Sequence, residues 1–301
     1  MGRISAKFSV ALAILALGCA VSIVAAAAAA AQASSPAADQ ATRDKIVKYL
    51  RERFPIAPSA TIAVGPFRPS IYPGFELTTI TIVDGKNKQS QDFYLSKAGD
   101  FLIQGNIYGL NGDPQAQVQK LIHTTGEPSI GPANAPVTIV EYADLECPMC
   151  AEMQQFIEKQ LVPKYGNKIQ VVFKEYPLFN VHPWAVAAAV ANECAWQLNA
   201  PDFVPYRSLI FQHQNDVKAQ TAPQQLEDLG AQAGLDRQKL TTCIDSKASL
   251  PLVQRDFLEG QKLGVGSTPT FFINGKMYAG GLPPDKFFAA VDQALAEAAK
   301  K

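Results

Sequence analysis

The sequence predicts an α/β protein preceded by a small α+β domain, and three observations carry that assignment. Two largely apolar runs, Val137–Tyr142 and Ile169–Phe173, read as buried strands separated by a helical stretch. Residues 184–263 are helical in pattern almost throughout, with breaks at Pro201, Pro223, Gly234 and Pro251. Strand character then returns at Thr270–Ile273, followed by the two-residue hairpin signal Asn274-Gly275 and a last helix from Pro284. Strand, helix, strand, helical insertion, hairpin and closing helix together make a sheet with helices on both faces.

The elements can be justified in order. The chain has 301 residues and is 48% hydrophobic, enough for two modest cores. Its first 33 residues contain Arg3 and Lys7 and then no charge until Asp39, ending on the small-residue site Ala31-Gln32-Ala33. That is the pattern of a secretory signal. The apolar run Phe8–Ala33 is also long enough to stay as a membrane anchor, and Cys19 after Ala16-Leu17-Gly18 faintly resembles a lipid-attachment site. All three readings put the rest of the chain outside the cytoplasm. Cleavage removes two of the 27 basic residues, leaving 25 against 27 acidic ones. With no basic stripe, nucleic acid is not an expected partner.

Residues 34–42 form a Ser/Ala/Pro-rich lead-in. Ile46, Val47, Leu50 and Phe54 then recur at helical spacing up to Pro55. Phe75–Val83 reads as a strand running into the turn Asp84-Gly85, while Phe93-Tyr94-Leu95 and Phe101-Leu102-Ile103 flank the turn Lys97–Asp100. Residues 34–112 are thus assigned to a small α+β domain. Asp113–His123 is expected to be a short helix opened by Pro114, within a linker over 113–133. The second domain, 134–301, begins with the strand at Val137. A helix then runs from Cys147 to about Val162, with Met153, Phe156, Ile157 and Leu161 on its apolar side.

Chemistry concentrates at Cys147-Pro148-Met149-Cys150. Two cysteines at i and i+3 on a first helical turn have Cα atoms about 5–6 Å apart, inside the roughly 4.4–6.8 Å window of a disulfide. Such a ring closes and reopens without backbone rearrangement, which suits a redox reagent. As a staple it would stabilise little, since it closes only a four-residue loop. Cys147 is expected at the helix N-terminus, where unpaired amides and the macrodipole favour a thiolate; Pro148 suits the first turn, and Cys150 lies one turn deeper as the resolving thiol. Glu141 sits in an otherwise apolar strand. If buried, its pKa rises and it can exchange a proton with Cys150; the bland alternative is a strand-end residue reaching water. Lys174 is a candidate ion-pair partner for it.

Thr268-Pro269 is the second signal. A proline entering a strand belongs at its start or in a cis turn, and a cis bond lets Thr268 offer its backbone to an extended substrate; an ordinary trans turn is the alternative. Cys194 and Cys243 are a candidate structural disulfide, favoured over two free thiols by an oxidising compartment. No zinc-type ligand spacing is present, and neither metal nor cofactor is expected. His123, His182 and His213 are scattered and receive no catalytic role.

Val137–Cys150 and Gly264–Gly275 together resemble the DsbA-like branch of the thioredoxin superfamily. That resemblance implies a thioredoxin fold with a helical insertion at about 184–263. By position it makes Glu141 the buried acid, Cys147 the nucleophile, Cys150 the resolving thiol and Pro269 the cis-proline. The implied activity is oxidase-type thiol–disulfide exchange with cysteine-containing protein substrates. A partner would reset the pair, either a membrane quinone-linked oxidase or a reductase. Less closely, Tyr94–Tyr108 and the helix before it are similar to the dimerisation domain of the DsbC/DsbG isomerases, which implies a homodimer and an isomerase as the alternative. A holdase for unfolded chains is the non-enzymatic alternative. The central dipeptide departs from the strongest oxidases, which carry His at its second position. Met149 offers the thiolate no charge, so a potential between about −120 and −270 mV is expected.

Overall fold

The computed structural model describes residues 36–70, 72–105, 107 and 112–300. The expected signal or anchor over 1–33, including Cys19, lies outside the described residues. Among those residues no helix is long and apolar enough to cross a membrane. The chain divides into two compact units at Gln104/Gly105.

In the first unit, α1 (Pro36–Arg53) precedes β1 (Thr61–Val64), β2 (Arg68–Pro69), β3 (Phe75–Asp84), β4 (Asn87–Ser96) and β5 (Leu102–Ile103). The strands form an antiparallel sheet ordered β1-β3-β4-β5, with β2 also on β3. β3 and β4 pair from Phe75↔Ser96 to Asp84↔Asn87, leaving a two-residue turn in which Gly85 supplies a positive φ of 59°. Ile46 and Leu50 of α1 bury themselves against Ile80 and Leu95 of the sheet, making a small core.

The second unit contains α2 (Pro114–Leu121), β6 (Ser129–Ile130), β7 (Val137–Ala143), α3 (Pro148–Phe156), α4 (Val162–Tyr165) and β8 (Ile169–Glu175). Five further helices follow: α5 (Ala185–Leu198), α6 (Ala200–Gln212), α7 (Ala222–Gln232), α8 (Arg237–Ser246) and α9 (Leu250–Lys262). β9 (Thr270–Ile273), β10 (Lys276–Ala279) and α10 (Pro284–Ala298) complete it. Its sheet is ordered β10-β9-β7-β8-β6. β7 and β8 run parallel in the middle, while β9, β10 and β6 are antiparallel to their neighbours. Strands covered on both faces bury nearly every residue, which is why both central runs are so apolar.

One face of the sheet packs Met153 and Phe156 of α3 and Phe287 and Val291 of α10 against Ile139, Val171 and Phe271. The other holds Ile122 and Val265 against Val140, Tyr142 and Phe272. Helices α5 to α8 build a third cluster around Tyr206, Ile210 and Leu240 that extends to Cys147 and Cys150. The insertion is thus continuous with the ground on which the two cysteines stand.

Two departures from expectation have physical causes. Residues 113–133 are part of the second unit rather than a free connector. Asp113 caps α2 by accepting from the amides of Gln115 and Ala116, Ile122 enters the core, and β6 adds a strand beside β8. The helix after Cys147 runs on to Tyr165, but a π-turn over Ile157–Leu161 lies between α3 and α4. Pro163 lacks an N–H and its ring crowds the carbonyl four residues back, so the preceding turn widens.

Candidate active site

Cys147 is the N-cap of α3, extended at φ −79° and ψ 122°, with Pro148 in the first turn. Its amide donates to the Asp144 carbonyl at 3.0 Å, and its own carbonyl accepts from the amide of Cys150 at 3.1 Å. The Thr268-Pro269 bond is cis, and the Cys147 thiol lies 3.5 Å from the Thr268 carbonyl. The proline loop and the cysteine loop, 121 residues apart in sequence, therefore meet at one sulfur. Cys147 retains 8% of its surface and Cys150 none, so only the first is reachable from outside. Both are free thiols.

Their environments drive the two thiols apart. Cys147 is pulled down to about 5, first by the hydrogen bond from the Cys150 thiol, with Thr268 and the amides of Cys150 and Met149 adding to it against the opposing effect of burial. Cys150 is pushed well above the usual thiol range by burial, then by its bond to Cys147 and by the charge of Glu141. These surroundings favour a thiolate at Cys147 and a protonated thiol at Cys150.

Glu141, on β7, is fully buried, and burial pushes its carboxyl up even though Arg207 opposes the shift. Its ion partner is Arg207 of α6, with Nη2 3.1 Å from Glu141 Oε2, and not Lys174. The parity of a strand explains the correction. Lys174 stands beside Tyr142 in the parallel register, one residue out of phase with Glu141, and so faces the other side of the sheet. There it meets Asp256 at 2.9 Å, Glu259 at 3.3 Å and Glu127 at 3.4 Å. Glu175, two residues on from Phe173, shares the side of Glu141, and burial lifts it to about 8.

Several residues around the cysteines gave no signal in the sequence. Gln214 donates to the carbonyls of Leu145 and Cys147 at 2.8 and 3.0 Å, holding the cysteine loop to the insertion. Asp144 Oδ2 accepts from the Leu178 amide and faces His182 Nδ1, both at 2.7 Å. Gln154 accepts from Arg207 Nε at 2.9 Å. Asp-Leu-Glu before the pair was the one legible hint, since short polar residues before a helix often cap a loop. The structure joins Cys194 to Cys243 in a disulfide with Cα atoms 5.9 Å apart, linking α5 to α8.

A cysteine pair opening a helix and touching a cis-proline loop beside a five-stranded mixed sheet defines a thioredoxin fold, here with a helical insertion between β8 and β9. The chain belongs to the thioredoxin family, whose model matches residues 123–293. Oxidised BdbD from Bacillus subtilis shares the fold at a TM-score of 0.53 and 24% identity, over 58% of this chain and 95% of that one. The α-DsbA1 of Wolbachia pipientis does so at 0.53 and 21%, over 60% and 96%. In sequence, the Na(+)/H(+) antiporter NhaA 3 of Salinispora tropica is 32% identical over 168 residues, which is 56% of this chain and 24% of the antiporter. Disulfide bond formation protein D of Bacillus subtilis is 25% identical over 172 residues, 56% of this chain and 78% of that protein. The chain thus spans about a quarter of the length of the antiporter it matches. The family match lies within the second unit.

Proposed function

We propose that the protein is an extracytoplasmic thiol–disulfide oxidoreductase working on protein cysteines, in the oxidase direction. The observation that carries this reading is the opposed state of two adjacent sulfurs. Cys147 is exposed at its edge and drawn down to about 5, while Cys150 is sealed and raised. Starting from the closed pair, a substrate thiolate attacks Cys147 Sγ, the Cys147–Cys150 bond breaks, and Cys150 leaves with the electron pair. Glu141, raised by burial, supplies the proton that Cys150 takes up. A second substrate thiolate then attacks the substrate sulfur of the mixed disulfide, and Cys147 departs as a stable thiolate. The Thr268 carbonyl beside Cys147 suits an extended substrate strand laid along the proline loop.

The likeness to a disulfide bond formation protein supports this direction, and the charge pattern of residues 1–33 supports export. The N-terminal unit serves as a dimerisation element in this reading. Tyr49, Phe54 and Phe101, more than two-fifths exposed at 55%, 48% and 68%, support that role, and sedimentation of the full chain tests it. Insulin reduction and refolding of reduced ribonuclease, measured for the wild type and Cys147→Ser, test the activity. Loss of both in the variant is expected. Equal activity in the two proteins refutes the enzyme, and retained suppression of aggregation alone points to a chain-binding module. Thiol trapping in cells separates an oxidase, kept closed, from an isomerase, kept reduced.

A further inference from the structure

We propose that Arg207 is a positioning residue that clamps Glu141 and Glu175 together, so that the three side chains carry one exchangeable proton for the resolving thiol Cys150. The inference deepens the reading above and rests on it.

The geometry is a closed cell. Arg207 is fully buried with its guanidinium 4.8 Å from the ring centroid of Phe173 and 5.0 Å from that of Phe211, so its plane is fixed. Nε is held by Gln154 of α3, the helix that carries Cys150. One arm reaches Glu141 at 3.1 Å and the other lies 3.6 Å from Glu175 Oε1. Glu175 Oε1 also accepts from Asn192 at 2.6 Å. Yet Glu141 Oε1, Glu175 Oε2 and Arg207 Nη1 are buried with no hydrogen-bond partner among the described residues. Two carboxylates share one cation, and each keeps one oxygen with no donor. Burying two anions against one cation leaves a net negative charge, which is costly in the interior. One proton on either bare oxygen restores neutrality.

The charged and titratable groups around the cell agree with that count. Glu141 faces Cys147 and Cys150 from α3 and Arg207 from α6. Glu175 faces Arg207, and the negative charges of Asp144 and Asp256 press on it as well. Glu193, the residue after Asn192 on α5, is a third buried acid near enough to feel Glu175, and burial raises it to about 9, so it stays neutral and adds no charge at neutral pH. When Cys150 leaves as a thiolate it takes the Glu141 proton, and the new carboxylate is met by Arg207. The one proton is then on Cys150, and Glu141 and Glu175 are both carboxylates on the two arms of Arg207. In the reverse step Cys150 returns its proton to Glu141 as its sulfur bonds Cys147 and a substrate thiolate is released. Atoms balance in both directions, and the negative charge of the substrate thiolate passes into the cell in the first and back out to the released thiolate in the second.

Two measurements decide the matter. The first is the pH profile for closure of a Cys147–glutathione mixed disulfide by Cys150, in wild type, Arg207→Gln and Arg207→Lys. Without the cation burial acts unopposed, so the acid limb is expected to move up by about one pH unit or more in Arg207→Gln, tenfold in the protonated fraction. Arg207→Lys keeps the charge and is expected to restore most of the shift. Equal loss of stability in both variants with an unmoved limb is what a space-filling role gives, and it overturns the proposal. The second is an infrared titration of buried protonated carboxyls, which needs neither turnover nor the arginine variants. Beside the band of Glu193, which is raised to about 9 and is the one left in Glu175→Gln, a second band present at neutral pH in the wild type and absent from Glu175→Gln is expected. An unchanged second band overturns the proposal even if the arginine variants do not fold. A wild type that performs no exchange at all defeats the parent function, and the infrared result still judges the cell.

Discussion

Replacing Cys150 by Ala tests the account of Cys147 most directly. The largest cause of the low Cys147 pKa, about 5 against an ordinary 9.0, is the hydrogen bond from the Cys150 thiol. A hydrogen bond to a charged group contributes about 1.5–3 kcal/mol, and each pH unit is worth about 1.4 kcal/mol. Removing it therefore displaces the titration by about one to two units, to near 6–7, with Thr268 and the helix amides holding the rest. Ultraviolet thiolate absorbance of the reduced protein across the pH range reads this directly, and the alkylation rate gives an independent curve. If Cys147 in Cys150→Ala still titrates near 5, the depression comes from the backbone amides and the thiol–thiol argument fails. The same pKa sets a stability window. The folded thiol titrates near 5 and the unfolded one near 9.0, so the reduced form gains stability as pH rises from 5 towards 9 and loses that gain below 5. The closed form has no thiol there to titrate. The melting temperature of the reduced protein, measured relative to the closed one, must rise through that window.

Lys174→Met strips one cation from Asp256, Glu127 and Glu259, with Arg255 still paired to the first two, and is expected to cost up to about 3–5 kcal/mol in urea unfolding. That loss shrinks on acidification, because burial already lifts Glu127 and lets it take up a proton early. Replacing Cys194 and Cys243 together by Ala opens a loop of 49 residues and is expected to lower stability by up to about 4 kcal/mol, with disulfide exchange retained. Gly260→Ala is expected to cost about 1–3 kcal/mol in the same assay. Its new Cβ would stand 2.8 Å from two ring atoms of Tyr176 and 3.1 Å from Tyr142, and both rings are locked edge to face.

Much of this was legible because the strands of a covered sheet must be apolar and turns demand particular residues. Asn274-Gly275 adopts positive φ at both positions, as its dipeptide requires, and the Asn274 side chain accepts from the amide of Thr138 at 2.8 Å, tying the hairpin to β7. The cysteine pair announced its helix start for the same local reason. What stayed hidden was tertiary. Nothing in an amphipathic pattern says that Arg207, one basic residue among helical neighbours, turns inward, because that depends on two acids on strands far away. Lys174 was misassigned because a sheet partner was chosen without the parallel register, and one residue of phase reverses the face. Gln214 had no pattern at all; its role exists only once the cysteine loop is in place.

The span between Arg207 and the acid it neutralises also matters while the chain is being made. A ribosome releases Glu141 66 positions before that arginine, and Lys174 emerges 82 positions before Asp256. At roughly 5–20 residues per second, Arg207 follows Glu141 by roughly 3–13 s and Asp256 follows Lys174 by roughly 4–16 s. Closing the sheet without the insertion would enclose Glu141 without Arg207, which is costly in the interior. Completion of the sheet is thereby coupled in energy to docking of α6, 66 positions further along the chain.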